Sequence, residues 1–316
     1  MTKSGHGSAV LTALLVTFLW STSWVLIKIG LTEIPAITFA GLRYALAFLF
    51  LCPGLWRRRE EIRHLNTRNW ALLLALGVVF YALTQGGQFL TLAHMDAVPF
   101  SLLLSFSPIL VAGIGAVVLH ERTTLLQALG IALALAGALL YFAPLSVPRG
   151  SAVGFLLAGG TVIANAVAAV LGRAANRRRI ASPVVITGLS MGVGAAILLG
   201  SGWATQGLPS LTLRGWGIVV SLAVVNTALA FTLWNRALRT LSATESSVVN
   251  NTMLIQIAIL AVLLLGESLS GCDIVGLLVV AIGTALVQLR RIRRRDAAET
   301  NNEKNPTTSE EGETPE

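Results

Sequence analysis

The stretch from Leu92 to Leu140 reads LAHMDAVPFSLLLSFSPILVAGIGAVVLHERTTLLQALGIALALAGALL. It is echoed 146 residues later by 238–286, LRTLSATESSVVNNTMLIQIAILAVLLLGESLSGCDIVGLLVVAIGTAL. Ala97, Ser101, Glu121, Gly130 and Gly137 of the first land on Ala243, Ser247, Glu267, Gly276 and Gly283 of the second without a gap. Each stretch belongs to a set of five apolar spans. Five is odd, so the second copy enters a bilayer from the opposite side. Inverted repeats of this kind mark carriers that rock two related halves around a site near the midplane.

Composition agrees with a membrane chain. A soluble domain carries about a quarter charged residues, whereas these 316 residues are 12% charged and 54% hydrophobic, with mean hydropathy +0.75. A helix needs about 20 apolar residues to cross a bilayer. Such spans are predicted at 9–30, 36–55, 70–91, 97–118, 124–142, 152–173, 183–203, 214–234, 246–265 and 271–289. The expected fold is an all-α membrane protein of ten transmembrane helices in two inverted five-helix repeats, with both termini cytoplasmic. Residues 1–8 form a short N-terminus, 9–143 the first repeat and 152–289 the second, inverted repeat. The tail at 290–316 is basic, then acidic, and lacks apolar periodicity, which predicts disorder. A large soluble helical protein would need polar helix faces. The run Leu125–Tyr141 holds one strongly polar residue, Gln127.

The formal charge of +8 is a topology signal. Of 23 Lys and Arg, 19 fall on one predicted side, at 3, 57–68, 122, 173–179, 236–239, 290–295 and 304. Arg149 and Arg214 fall on the other, while Lys28 and Arg43 lie inside spans. The positive-inside bias then puts both termini in the cytoplasm, and the basic side attracts anionic lipid, not nucleic acid. The expected location is a bacterial or archaeal cell (inner) membrane, crossed many times, as a monomer or homodimer. The first apolar run continues through Ser21-Thr22-Ser23 to Ile29, which reads as an uncleaved span.

Several chemistries are disfavoured. Cys52 and Cys272 fall at opposite predicted faces, so they do not pair and support no metal site. No glycine pattern leads into any of the three lysines, so a phosphate-binding loop is absent and transport is gradient-driven. Gly188-Leu189-Ser190-Met191-Gly192 matches a hydrolase elbow, but that chemistry wants a strand-to-helix turn and a histidine base. His6, His64, His94 and His120 fall in tails, loops or span ends, and small residues four apart serve helix packing. No catalytic residue, metal or cofactor is expected.

Several blocks carry a family resemblance. Phe18-Leu19-Trp20-Ser21-Thr22-Ser23-Trp24 precedes Lys28-Ile29-Gly30, and Pro35 precedes Leu42-Arg43-Tyr44. Ser107-Pro108 leads to Leu119-His120-Glu121-Arg122, Gly130 and Gly137; Leu265-Gly266-Glu267-Ser268-Leu269 leads to Gly276 and Gly283. Together, over residues 9–290, they resemble the drug/metabolite transporter superfamily, specifically its EamA-type permeases. The resemblance implies a ten-helix inverted-repeat fold and transport of small organic metabolites, often outward. One departure stands out: Leu254 occupies the place equivalent to Pro108, within Asn250-Asn251-Thr252-Met253-Leu254-Ile255-Gln256. The ninth span should lack a proline kink and carry more amides.

Arg43 is the most telling residue. It lies eight residues into its span, about 12 Å at 1.5 Å per residue, where a charge is costly and usually functional. The nearest acids to the first eight spans, Asp96, Glu121, Glu245 and Glu267, sit at span ends. Two readings stand: a guanidinium that binds an anionic substrate group, or one that bonds neighbouring helices. Lys28 either extends to the headgroups or serves a gate. Glu121 and Glu267 either cap the next helix or close a loop network, in preference to touching substrate.

Ser101, Ser105 and Pro108 share one helical face, as do their counterparts Ser247, Asn251 and Leu254. This face is expected to line the pseudo-twofold interface. Around it should gather Trp20, Ser23 and Trp24 of span one, Arg43 of span two, Tyr81, Gln85 and Gln88 of span three. Asn165 of span six and Asn226 and Trp234 of span eight complete the expected substrate site. Amides, hydroxyls and indoles suit a neutral or zwitterionic metabolite better than a metal ion, which wants carboxylates. The leading function is a gradient-driven carrier, an exporter of small organic metabolites such as amino acids. The alternative within transport, export of hydrophobic cations, wants a cavity acid, with Glu245 the candidate. A membrane enzyme would need convergent catalytic groups, and a structural membrane protein has no use for an inverted repeat.

Overall fold

A computed structural model describes residues 3–107, 109–111, 125–142, 151–177, 180–207, 209–237 and 243–286. Pro108, His120, Glu121, Arg122, Arg149, the tail from 287 and the side chains of Gln127, Glu245, Ser247 and Asn251 lie outside the described residues. Among those described, every regular element is helical. In order they are α1 (Lys3–Gly30), α2 (Ala36–Arg57), α3 (Arg59–Arg63), α4 (Thr67–His94) and α5 (Ala97–Leu104). Then follow α6 (Leu125–Phe142), α7 (Ala152–Arg177), α8 (Pro183–Gln206), α9 (213–237), α10 (243–265) and α11 (Gly271–Leu286).

Five segments are long and apolar enough to cross a bilayer: Gly7–Gly30, Ala36–Arg57, Thr67–His94, Ala152–Gly172 and Pro183–Gln206. Shorter apolar helices include Ala128–Phe142, Leu213–Leu229, Thr252–Leu265 and Gly271–Leu286. Leu49, Phe50, Leu139, Leu156 and Leu263 stand exposed on their outer faces. In water such a belt would be a docking or aggregation surface; against lipid it is the wall that composition predicts.

Local chemistry sets the helix ends. Pro35 precedes α2 and Pro183 opens α8, positions where a missing N–H costs nothing. Asn66 accepts from the Asn69 N–H at 2.9 Å to start α4, and Thr212 accepts from the Gly215 N–H at 3.1 Å to start α9. Ser270 and Asp273 bond each other's backbone N–H ahead of α11, a reciprocal capping box. Gly266, at φ +70°, ends α10 in the left-handed conformation that glycine adopts without strain.

Two helices per half carry the pseudo-symmetry. α2 and α8 pack along their whole lengths in opposite directions. A β-carbon on Gly202 would stand 2.7 Å from the Thr38 backbone, and one on Gly41 would stand 2.7 Å from that of Leu199. Further along, Gly192 abuts the Phe48 ring and Gly188 the Leu55 side chain. The small-residue pattern around Ser190 is therefore a packing seam: Ser190 is buried and donates to Ile186 O at 2.6 Å. α6 and α11 cross in the same antiparallel way, Gly137 against Gly276 and Gly130 against Gly283. The four glycines that register the sequence repeat are the four that face each other across the halves.

The third helix of each half widens at the same place. Over Gly77–Gln85 in α4 and Val224–Leu229 in α9 the backbone is π-helical, an arrangement frequent at functional sites. Thr84 and Thr227 each donate to the carbonyl five residues back, Val79 and Leu222, at 2.8 and 2.9 Å.

Candidate functional site

The middle of α1 is a strip of hydroxyls, Thr17, Ser21, Thr22 and Ser23, on which three other helices converge. From α2, Arg43 donates through Nη1 to Ser23 Oγ at 2.9 Å. Through Nε and Nη2 it donates to Thr227 Oγ1 of α9, at 3.3 Å each. From α9, Asn226 donates to Leu19 O and, at 3.1 Å, to Thr22 Oγ1. From α10, Gln256 accepts from Ser21 Oγ at 3.1 Å and donates to Thr17 and Thr252 hydroxyls at 3.2 and 3.1 Å. The hub joins both halves with neutral partners.

Arg43 is 6% exposed, and among the described residues its polar partners are hydroxyls. Its guanidinium also lies 5.2 Å from the Tyr44 ring centre and 5.9 Å from that of Phe89, close enough for cation–π attraction. Tyr44 meets Tyr81 edge-on at 5.6 Å. Tyr81 in turn walls a cavity of about 260 Å³ between α4, α7, α8 and α9. Asn165, Thr187, Ser190, Phe80 and Phe231 line it as well, with no charged side chain. Phe231 backs onto Trp20 at 5.4 Å, and Trp20 onto Trp234 at 5.2 Å. An aromatic chain thus runs from the arginine through two tyrosines to the cavity, and another from the cavity to α1.

The structure gathers Ser23 with Arg43, Tyr81 with Asn165, and Trp20 with Trp234. Four expected residues turn elsewhere. Trp24 is buried against Phe100 at 5.0 Å. Asn226, 1% exposed, is spent on the backbone and hydroxyl of α1. Ser101 and Ser105 donate within their own helix, to Val98 and Leu102 carbonyls. Gln85 and Gln88 are half-buried on α4. Thr227, Gln256 and Phe231 were not singled out from the sequence. A threonine and a glutamine at the middle of apolar runs carried the signal, but their partners are more than 180 residues away.

At the end of the molecule that holds Gly30, Met95, Gln206 and Gly266, polar groups tie the halves together. Lys28 does not reach outward: its Nζ donates to Leu92 O and Met95 O at 3.0 and 2.8 Å, closing the last turn of α4, and lies 3.4 Å from Asp96. Glu267 accepts from the N–H groups of Ala97 and Val98 at 2.8 and 3.1 Å. It caps α5 of the other half, not the helix that follows it. Gln206 Oε1 likewise accepts from Ile37 and Thr38 N–H at the start of α2. Glu33 accepts from the N–H and hydroxyl of Thr212 at 2.8 and 2.6 Å. At the opposite end Glu61 accepts from the Ser182 N–H and, at 2.8 Å, its hydroxyl. Each of these four caps crosses from one half to the other. Among the described residues no group of three or more His, Cys, Asp or Glu could hold a metal ion.

The sequence profile of the EamA-like transporter family matches residues 7–143 and again 152–289. The uncharacterised transporter YvbV of Bacillus subtilis is 26% identical over 299 residues, covering 93% of this chain and 96% of the relative. A probable amino-acid metabolite efflux pump of Salmonella typhimurium is 26% identical over 287 residues, covering 86% and 91%. A solved crystal structure superposes with TM-score 0.62 at 19% identity, covering 91% of this chain and 99% of that one, which is a likeness of fold.

Proposed function

Because this chain belongs to the EamA-like transporter family, with two matched repeats and apolar membrane-spanning helices, we propose that it is a gradient-driven exporter of small organic metabolites. Ten spans cross the cell membrane in two inverted repeats, both termini lie in the cytoplasm, and access alternates around the cavity between the halves. Amino acids and their neutral derivatives are the substrate class. The observation that carries the reading is the cavity beside the Arg43–Tyr44–Tyr81 stack. It has aromatic and neutral polar walls, touches both halves, and offers amide and hydroxyl groups without a fixed charge. The name of the Salmonella relative supports the same class.

Cavities with this lining bind mainly through apolar contact, with a few placed polar groups giving orientation. Asn165 and Thr187 are those groups here. Trp20 and Trp234 stand behind Phe231 and stiffen the aromatic wall. The chain works as a carrier and not as an enzyme.

The deciding experiment is a screen of amino acids and small polar metabolites in reconstituted vesicles with an imposed pH gradient. Concentrative movement of an amino acid, abolished by Asn165→Leu, is expected. Movement of hydrophobic cations alone would replace the substrate class. No movement of any solute by folded protein would sink the carrier reading.

A further inference from the structure

Four caps join the halves, three of them through carboxylates, and of those three Glu267 lines a cavity. Gln206 holds α2 with a neutral amide, whose single oxygen accepts from both Ile37 and Thr38. A neutral group is therefore sufficient for the task. Glu267 performs the same task on α5 with a carboxylate, half-buried at the edge of a cavity of about 440 Å³. Removing an ionised carboxylate from water is costly unless it is paired. The charged groups that face it are Lys28 from α1, Asp96 from the link before α5, and Arg214 from the start of α9. Lys28 is engaged with two carbonyls and Asp96, so it is shared rather than dedicated.

We propose that Glu267 is a proton-binding site of the carrier: it takes up a proton as this end of the molecule closes on it and gives the proton back as α5 moves away and water enters. The inference rests on the carrier reading and supplies its coupling ion. The step is a simple protonation. A carboxylate oxygen of Glu267 gains the proton on closure, and the remaining carbonyl oxygen goes on accepting from the α5 backbone as Gln206 does for α2.

The direction follows from burial. Burial is the largest influence on Glu267 and raises its pKa, with Asp96 adding to it; the N–H groups of Ala97 and Val98 and the charge of Lys28 oppose it without prevailing. The caps at Glu33 and Glu61 come out the other way, held below the ordinary carboxylate value. Opening the site to water removes the burial, so the open form binds the proton more weakly. Each unit of difference between the two forms is tenfold in the opening equilibrium. Acid therefore favours closure and alkali favours opening.

The test is hydrogen exchange at the start of α5, read by mass spectrometry on the full chain in lipid nanodiscs and corrected for intrinsic rate. Wild type, Glu267→Gln and Asp96→Asn are compared from about pH 4 to about pH 9, a window that opens at the ordinary carboxyl value and extends upward from it. Wild type should lose protection by about fivefold or more as pH rises. Glu267→Gln should stay protected and flat across the window. Asp96→Asn, which removes a like charge and keeps the cap, should move the wild-type midpoint to lower pH. A Glu267→Gln protein less protected than wild type at every pH would mean a permanent structural cap and overturn the proposal. So would a flat wild-type profile or an unmoved midpoint in Asp96→Asn, and these two readings stand even if Glu267→Gln does not fold. The exchange profile needs no substrate, so a failed metabolite screen leaves it standing.

Discussion

The carbonyl oxygen of Gly137 lies 2.8 Å from where a β-carbon on Gly276 would stand, and the carbonyl of Gly276 lies 2.8 Å from where one on Gly137 would stand. The two-fold between the repeats relates Gly130 to Gly276 and Gly137 to Gly283, so it carries this contact onto that of Gly283 with Gly130, whose carbonyl oxygen lies 2.7 Å from where a β-carbon on Gly283 would stand. Gly276→Leu should therefore be among the most damaging apolar substitutions in the chain. Overpacking costs about 1–3 kcal/mol where neighbours can shift, and here the neighbour is backbone. The expected result is loss of monodisperse protein on size exclusion. Gly160→Ala, with nothing within 4 Å of the new carbon, should instead be neutral or gain about 0.5–1 kcal/mol from helix propensity.

Arg43 is held by two hydroxyls and two rings, which favours a role in joining α1, α2 and α9. Arg43→Lys keeps a charge but loses the fork that reaches Ser23 and Thr227 together. Unmade buried hydrogen bonds should lower stability by about 1–3 kcal/mol. Thr227→Val should cost a similar amount, and the double variant should fall short of the sum by about 0.5 kcal/mol or more. If Arg43 holds a substrate carboxylate instead, Arg43→Lys will keep the thermal midpoint and weaken transport of an amino acid more than of its amide. Equal losses for the two substrates rule that role out.

Acid should loosen the caps at Glu33 and Glu61. The Thr212 hydroxyl, then its N–H, hold the Glu33 carboxyl below its ordinary value, with Arg214 adding to the effect. For Glu61, burial pushes upward, yet the Ser182 N–H and hydroxyl and the nearby Arg58 together outweigh it. A depressed carboxyl adds stability above its unfolded value, and that stability is lost as pH falls through the folded one. The fall in thermal midpoint between about pH 5 and about pH 3 should shrink in Glu61→Gln. An unchanged acid slope would show that Glu61 does not titrate with unfolding.

The orientation of the proposed spans is open to a direct check. A reporter active only outside the cytoplasm should be silent when fused after Arg68, Arg179 or Arg295. It should be active near Met95, Arg149 and Ser270. Activity at Arg179 with silence at Arg149 would break the inverted second half.

Much of the architecture was legible in the sequence because glycine spacing and hydropathy are local properties. Gly130, Gly137, Gly276 and Gly283 announced the repeat, but that they meet one another is a fact about α6 and α11 that neither segment contains. Arg43 was visible as a charge in an apolar run, while its partner Thr227 looked like any threonine in a membrane helix. Glu267 was recognisable as a capping residue, yet the helix it caps belongs to the other half. Lys28 turned inward because the open carbonyls of α4 were within reach, whereas composition alone favours the headgroups. The π-helical turns had no sequence signal, since nothing in Gly77–Gln85 distinguishes that backbone from an α-helix.

The cap on α2 also sets a timetable for synthesis. Thr38 receives its partner from Gln206, 168 residues further along the chain. At ribosomal rates of about 5–20 residues per second, the start of α2 waits roughly 10–30 s before that partner exists. Until then water and headgroups must satisfy its N–H donors, so the early chain is a natural client for membrane insertion factors. A first half made alone would remain in that unfinished condition, and co-expression of the second half should rescue its lifetime in the cell.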